Sequence, residues 1–163
     1  MDTYQILVPT DFSANSQAAL RYAVCLAHAR EAATITLLYV DPGVVPLDDE
    51  QLGILEPNRL MAMMKLRIAE RAVDVDVPVE ERVVYGEPGA KIVEVALDSG
   101  VDLIVMGTQG RRGLPRVLMG SVAESVLRHA PCPVLFIKDP SARPICGGDR
   151  DPSRAAEATR PNV

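Results

Sequence analysis

The sequence predicts an α/β fold: one domain built on a five-stranded parallel sheet with helices on both faces. Three observations carry that expectation. Short runs rich in apolar or β-branched residues recur five times, and segments of helical period lie between them. The fourth and fifth runs are apolar on both faces, as strands inside a parallel sheet tend to be. The strict strand–helix alternation gives a doubly wound sheet with right-handed crossovers. With 163 residues, 48% of them hydrophobic and 24% charged, the chain suits a single core that folds without staples.

The elements follow in order. "ILV" at Ile6–Val8 is a buried strand closed by Pro9. Ser13 then caps a helix whose inward face is Leu20, Ala23, Val24 and Ala27. "TITLLYV", Thr34–Val40, is the second strand. After an irregular Pro-rich stretch comes a helix from about Arg59 to Val73, with Leu60, Met61, Met64, Ile68 and Ala72 along one side. The Met61, Met63, Met64 cluster reads as core filler. Val79–Tyr85 is a more polar third strand, followed by a short helix with Pro88 near its start and Gly100 at its end. Asp102–Met106 is the fourth strand, "SVAESVLRHA" the last helix, and Pro133–Ile137 the fifth strand. Residues 139–163 lose all apolar period and read as a disordered tail, which leaves 1–138 as the domain.

Composition excludes several classes. A net charge of −5, two Phe, four Tyr and no Trp argue against nucleic acid as a partner. The first residues lack a basic n-region and a long apolar run, and no stretch approaches the roughly 20 apolar residues that cross a bilayer. A cytoplasmic location and no membrane partner are expected. Cys25, Cys132 and Cys146, odd in number and without C-x-x-C spacing, read as reduced thiols, with Cys132 a packing residue. His28 and His129 have no acids or cysteines at ligand spacing and read as structural.

The informative stretch is "GTQGRRGLPRVLMGS", Gly107–Ser121, with four of the chain's 11 glycines. Doubly wound sheets bind ligands beyond the carboxyl ends of their strands, where strand order reverses. The expected order 3-2-1-4-5 puts that reversal between strands one and four. The loop "PTDFS" after strand one then faces the glycine stretch across one crevice. Gly107, Gly110 and Gly113 let backbone N–H groups approach a ligand. Gly120-Ser121 opens a helix whose free N–H groups and dipole suit a phosphate, with the Ser121 hydroxyl as helix cap and further donor. Asp11 is an acceptor for ribose hydroxyls or an adenine amino group. The loop arginines Arg111, Arg112 and Arg116 read either as phosphate contacts or as solvated side chains.

"ILVPTDFS", "GTQGRRGLPRVLMGS" and "SVAESVLRHAPCPVLFIK" together resemble the universal stress protein family over roughly Tyr4 to Lys138. The pattern G-x2-G-x9-G-[ST] of its ATP-binding branch is met by Gly107, Gly110, Gly120 and Ser121. The resemblance implies a Rossmann-like fold of the adenine nucleotide alpha hydrolase type, a homodimer, and ATP as ligand. It implies contacts from Pro9, Thr10 and Asp11 at the end of strand one, and from Val40 to the adenine. Met106, Gly107, Gly110, Gly120, Ser121 and Val122 complete the implied site. Phe12 departs from the Gly that some ATP-binding members carry there, and is expected to narrow the pocket mouth.

An apolar fifth strand at a sheet edge invites pairing, so Pro133–Ile137 is the expected dimer contact. Three function classes follow. The leading one is an ATP-responsive signalling module for stress adaptation, with Mg2+ or Mn2+ as a fitting companion of the phosphates. A slow ATPase or autophosphorylating protein is the second; the chain lacks G-x-x-x-x-G-K-[ST] and an evident base for water, so no residue is assigned as catalytic. A nucleotide-free dimeric interaction module is the third.

Overall fold

The computed structural model describes residues 3–30, 32–43, 62–67, 77–109 and 119–141. The elements are β1 (Tyr4–Pro9), α1 (Ala14–His28), β2 (Ala33–Asp41), a helical segment over residues 62–67 (α2), β3 (Val79–Tyr85), α3 (Pro88–Asp98), β4 (Leu103–Gly107), α4 (Ser121–His129) and β5 (Val134–Ile137). All strand pairs are parallel, and their order is β3-β2-β1-β4-β5, as the sequence predicts.

Side-chain alternation divides the core into two layers. Ile6, Val8, Ile35, Leu37 and Val105 face α1 and α2, where they meet Ala19, Leu20, Ala23, Ala27 and Leu66. Leu7, Leu38, Val40, Ile104 and Met106 face α3 and α4, against Ile92, Val95, Ala96, Ala123 and Val126. Each fully buried Leu or Ile contributes about 1.5–3 kcal/mol relative to exposure. β1 and β4 are buried on both faces because they lie inside the sheet, which is why both read as unbroken apolar runs. β3 is an edge strand with Glu80 and Arg82 exposed, which accounts for its more polar sequence.

Ser13 caps α1 as expected, its hydroxyl accepting from the Ser16 N–H. α3 begins at Pro88, with the Glu87 carboxylate accepting from the Gly89 and Ala90 N–H groups. Gly100 follows the helix with φ +59, a conformation that favours glycine. The expected inward stripe of α2 is corrected at Met64, which is 54% exposed, while Ala62 and Leu66 point inward. Leu60, Met61, Ile68 and Ala72 lie outside the described residues.

The cysteine reading is corrected at Cys25 of α1, which is disulfide-bonded. Cys132 is free and half-buried against the α3/α4 layer, and burial pushes its thiol pKa up, as suits a packing residue. Of the expected tail, Asp139–Ser141 are described: Arg21 Nη2 donates to Pro140 O at 2.8 Å. The remainder lies outside the described residues. Among these, no helix is long and apolar enough to cross a membrane.

Candidate functional site

The reversal of strand order falls between β1 and β4, the position at which the loops of doubly wound sheets diverge and bind ligands. On the β1 side the loop is held by its own polar groups. Thr10 donates its N–H to Leu38 O at 2.8 Å and its buried hydroxyl to Ser16 Oγ at 3.0 Å. That same hydroxyl accepts from the Phe12 N–H, and Asp11 Oδ1 accepts from the Ser13 N–H, both at 3.0 Å. Thr10 therefore has its side chain committed to the loop, and what it can offer a ligand is backbone.

The loop brings Phe12 to φ +65, and its ring packs on Tyr39 with centroids 5.0 Å apart, in the layer facing α1. Val40 and Met106 lie in the other layer, and Val122 packs against it. Phe12 thus packs in the layer opposite to Val40, Met106 and Val122.

On the β4 side, the chain is tied to three neighbours. Thr108 N donates to Ile137 O at 3.1 Å, Gly120 N donates to Thr108 O at 2.7 Å, and Asn15 Nδ2 donates to Gln109 O at 3.0 Å. Gly107 presses on the first turn of α1: a Cβ there would stand 2.8 Å from Asn15 Cβ and 3.2 Å from the Asn15 carbonyl carbon. The absence of a side chain at Gly107 is required by this helix–strand approach.

α4 starts differently from the expectation. Its N-cap is Gly120, with no side-chain cap hydrogen bond, and Ser121 is the first helical residue, exposed to solvent. The reading of Ser121 as the cap is corrected accordingly. α1 and α3 are each capped by a side chain, whereas among the described residues the first N–H groups of α4 have no such partner. Uncapped N–H groups and the positive dipole end favour an anion.

The structure therefore gathers Pro9, Thr10 and Asp11, Val40, Met106 and Gly107, and Gly120, Ser121 and Val122 around the carboxyl end of the sheet. Gly110, Gly113, Arg111, Arg112 and Arg116 lie outside the described residues. Sequence reasoning passed over Asn15, Ser16 and Thr108. Ser16 follows the Ser13 cap by three residues, a spacing that signals a capping turn but not a bond to Thr10. Nothing in the sequence marks Thr108.

Strand order and helix placement define a doubly wound α/β domain with its switch point between β1 and β4. The chain belongs to the universal stress protein family, whose sequence profile matches residues 4–138. It is 36% identical to universal stress protein MJ0531 of Methanocaldococcus jannaschii over 140 residues, which covers 83% of this chain and 82% of that protein. The structure of the universal stress protein UspA from Lactobacillus plantarum superposes with a TM-score of 0.67 at 31% identity, covering 85% of this chain and 99% of that one. The universal stress protein from Archaeoglobus fulgidus, in complex with dAMP, superposes with a TM-score of 0.58 at 26% identity, covering 85% of this chain and 100% of that one.

Gly107→Ala should destabilise the fold by about 1–3 kcal/mol, because Asn15 can withdraw only by shifting α1. Thermal unfolding checks this; a midpoint equal to wild type would show that α1 does not press on β4 there.

Proposed function

We propose that the protein is a cytoplasmic, ATP-binding, nucleotide-responsive module of stress adaptation, with hydrolysis slow at most. The observation that carries the reading is the start of α4, which has no side-chain cap and is held beside the carboxyl end of β4 by the Gly120 N–H bond to Thr108 O. The crevice offers complementary chemistry at its two sides. N–H groups and a helix dipole suit phosphates, and a carboxylate suits ribose hydroxyls or the adenine amino group. The apolar residues Val40 and Met106 suit the base, and the dAMP held by the Archaeoglobus fulgidus relative is an adenine nucleotide of that kind. Pro9, Thr10, Gly107, Gly110, Gly120, Ser121 and Val122 complete the proposed contacts. A Mg2+ or Mn2+ ion would arrive with the phosphates. We assign no catalytic residue, and take 1–138 as the nucleotide-binding domain.

Titration calorimetry with ATP, together with mass analysis of any co-purifying small molecule, tests this reading. Gly110→Val should abolish ATP binding while leaving the thermal midpoint in place, since it adds bulk where the phosphates pass. Unchanged affinity would remove that glycine from the site. Asp11→Ala should weaken adenosine and ATP alike, by about tenfold, the cost of one hydrogen bond to a charged group. Loss confined to ATP would contradict its placement on the sugar–base side.

We also propose a homodimer through the last strand, Pro133–Ile137. β5 is a sheet edge, and Val134, Leu135 and Phe136 are only half-buried. Pro133 O and Ile137 O bond to β4, so alternation turns the backbone groups of Val134 and Phe136 to the open edge. Light scattering should give a mass near twice 17.6 kDa. Val134→Pro removes one outward N–H without touching the β4 ladder, and should shift the protein to monomer. A wild-type monomer at micromolar concentration would overturn the assignment.

A further inference from the structure

Three polar residues are buried in the described core: Thr10, Ser16 and Thr108. The first two bond to each other. Thr108 is 7% exposed, and its hydroxyl has no hydrogen-bond partner among the described residues. A buried hydroxyl without a partner carries a free-energy cost that a methyl group in its place would not.

Its position says what could satisfy it. Thr108 follows β4 directly, and strand alternation puts it on the same side as Met106, in the layer that also holds Val40. Its carbonyl accepts from the Gly120 N–H at 2.7 Å, which fixes it beside the first turn of α4. The helix start there lacks a side-chain cap. An orphaned hydroxyl and a set of uncapped N–H groups thus stand together, and all of them are donors. The ligand chemistry that accepts from every one of them at once is a phosphate.

We propose that Thr108 is a further binding residue, whose hydroxyl donates to a phosphate oxygen at the α4 N-terminus and so selects nucleotides over nucleosides. This rests on the crevice being a nucleotide site. It adds a hydroxyl from the strand side to the backbone donors from the helix side. A phosphate held from both sides is fixed in position, whereas helix N–H groups alone would leave it free to slide along the helix end.

Titration calorimetry with ATP, AMP and adenosine on wild type, Thr108→Val and Thr108→Ser tests the proposal, with thermal unfolding of each ligand-free protein. Thr108→Val keeps the shape and removes the hydroxyl. It should weaken ATP and AMP by about tenfold or more and leave adenosine unchanged. Its ligand-free midpoint should rise by about 2–4 °C, because an unsatisfied polar group is gone. Thr108→Ser should retain wild-type affinity for ATP and AMP. Equal weakening of adenosine would overturn the assignment to phosphate, and unchanged ATP affinity in Thr108→Val would overturn the role altogether. A fall in its ligand-free midpoint would show that the hydroxyl has a structural partner, which also overturns it. If wild type binds none of the three, the nucleotide reading of the crevice fails with it.

Discussion

The pairing of β1 with β4 is the constraint on which the site depends. Ile6 and Leu7 lie opposite Leu103 and Ile104, strands almost 100 residues apart in sequence. The junction is closed at its amino end by a reciprocal pair of bonds: Gln5 N donates to Asp102 Oδ2 at 2.8 Å, and Asp102 N donates to Gln5 O at 2.9 Å. At its carboxyl end, Asn15 rests against Gly107 and reaches Gln109 O. With both ends held, the direction in which each loop leaves the sheet is set by the strands. The crevice is then a consequence of topology, and it would exist for any loop sequence that tolerated the approach of α1.

What that crevice can bind is set by an asymmetry in how the two loops treat their polar groups. The β1 loop closes on itself: Thr10, Asp11, Ser13 and Ser16 all serve neighbouring backbone or hydroxyl groups. It has little left to reorganise when a ligand arrives, which lowers the ordering cost of binding. The start of α4 is the reverse, with a glycine cap, exposed Ser121 and the unsatisfied Thr108 hydroxyl. The proposed nucleotide would meet a preorganised β1 loop on one side and free donors on the other.

Much of this was legible in the sequence, for physical reasons that differ by element. Strands buried on both faces must be apolar at every position, so Ile6–Val8 and Ile104–Met106 announced themselves. The Ser13 cap and the Gly100 turn were legible because each rests on local backbone chemistry. α2 was less so: methionines at 61, 63 and 64 suit several helical registers, and only packing chose Ala62 and Leu66 as the inward residues. Ser121 looked like a cap because serine often is one, yet the chain enters the helix one residue earlier. Phe12 could be placed only by the tertiary fold, since a φ of +65 decides which face of the sheet its ring meets. Thr108 had no signal at all, because whether a hydroxyl finds a partner depends on residues far along the chain.

Thr108 also joins the site to the sheet edge. Its N–H is committed to Ile137 on β5, and its carbonyl to Gly120 at the start of α4. Only its hydroxyl is uncommitted. A phosphate that engages that hydroxyl would act on a residue already bonded to the edge strand and to the helix that packs behind it. No movement of the whole sheet would be needed for ligand binding to be felt at β5, because one residue separates the two. Under that proposal the coupling would be local, and it would ask of the nucleotide only that it bind, not that it be cleaved.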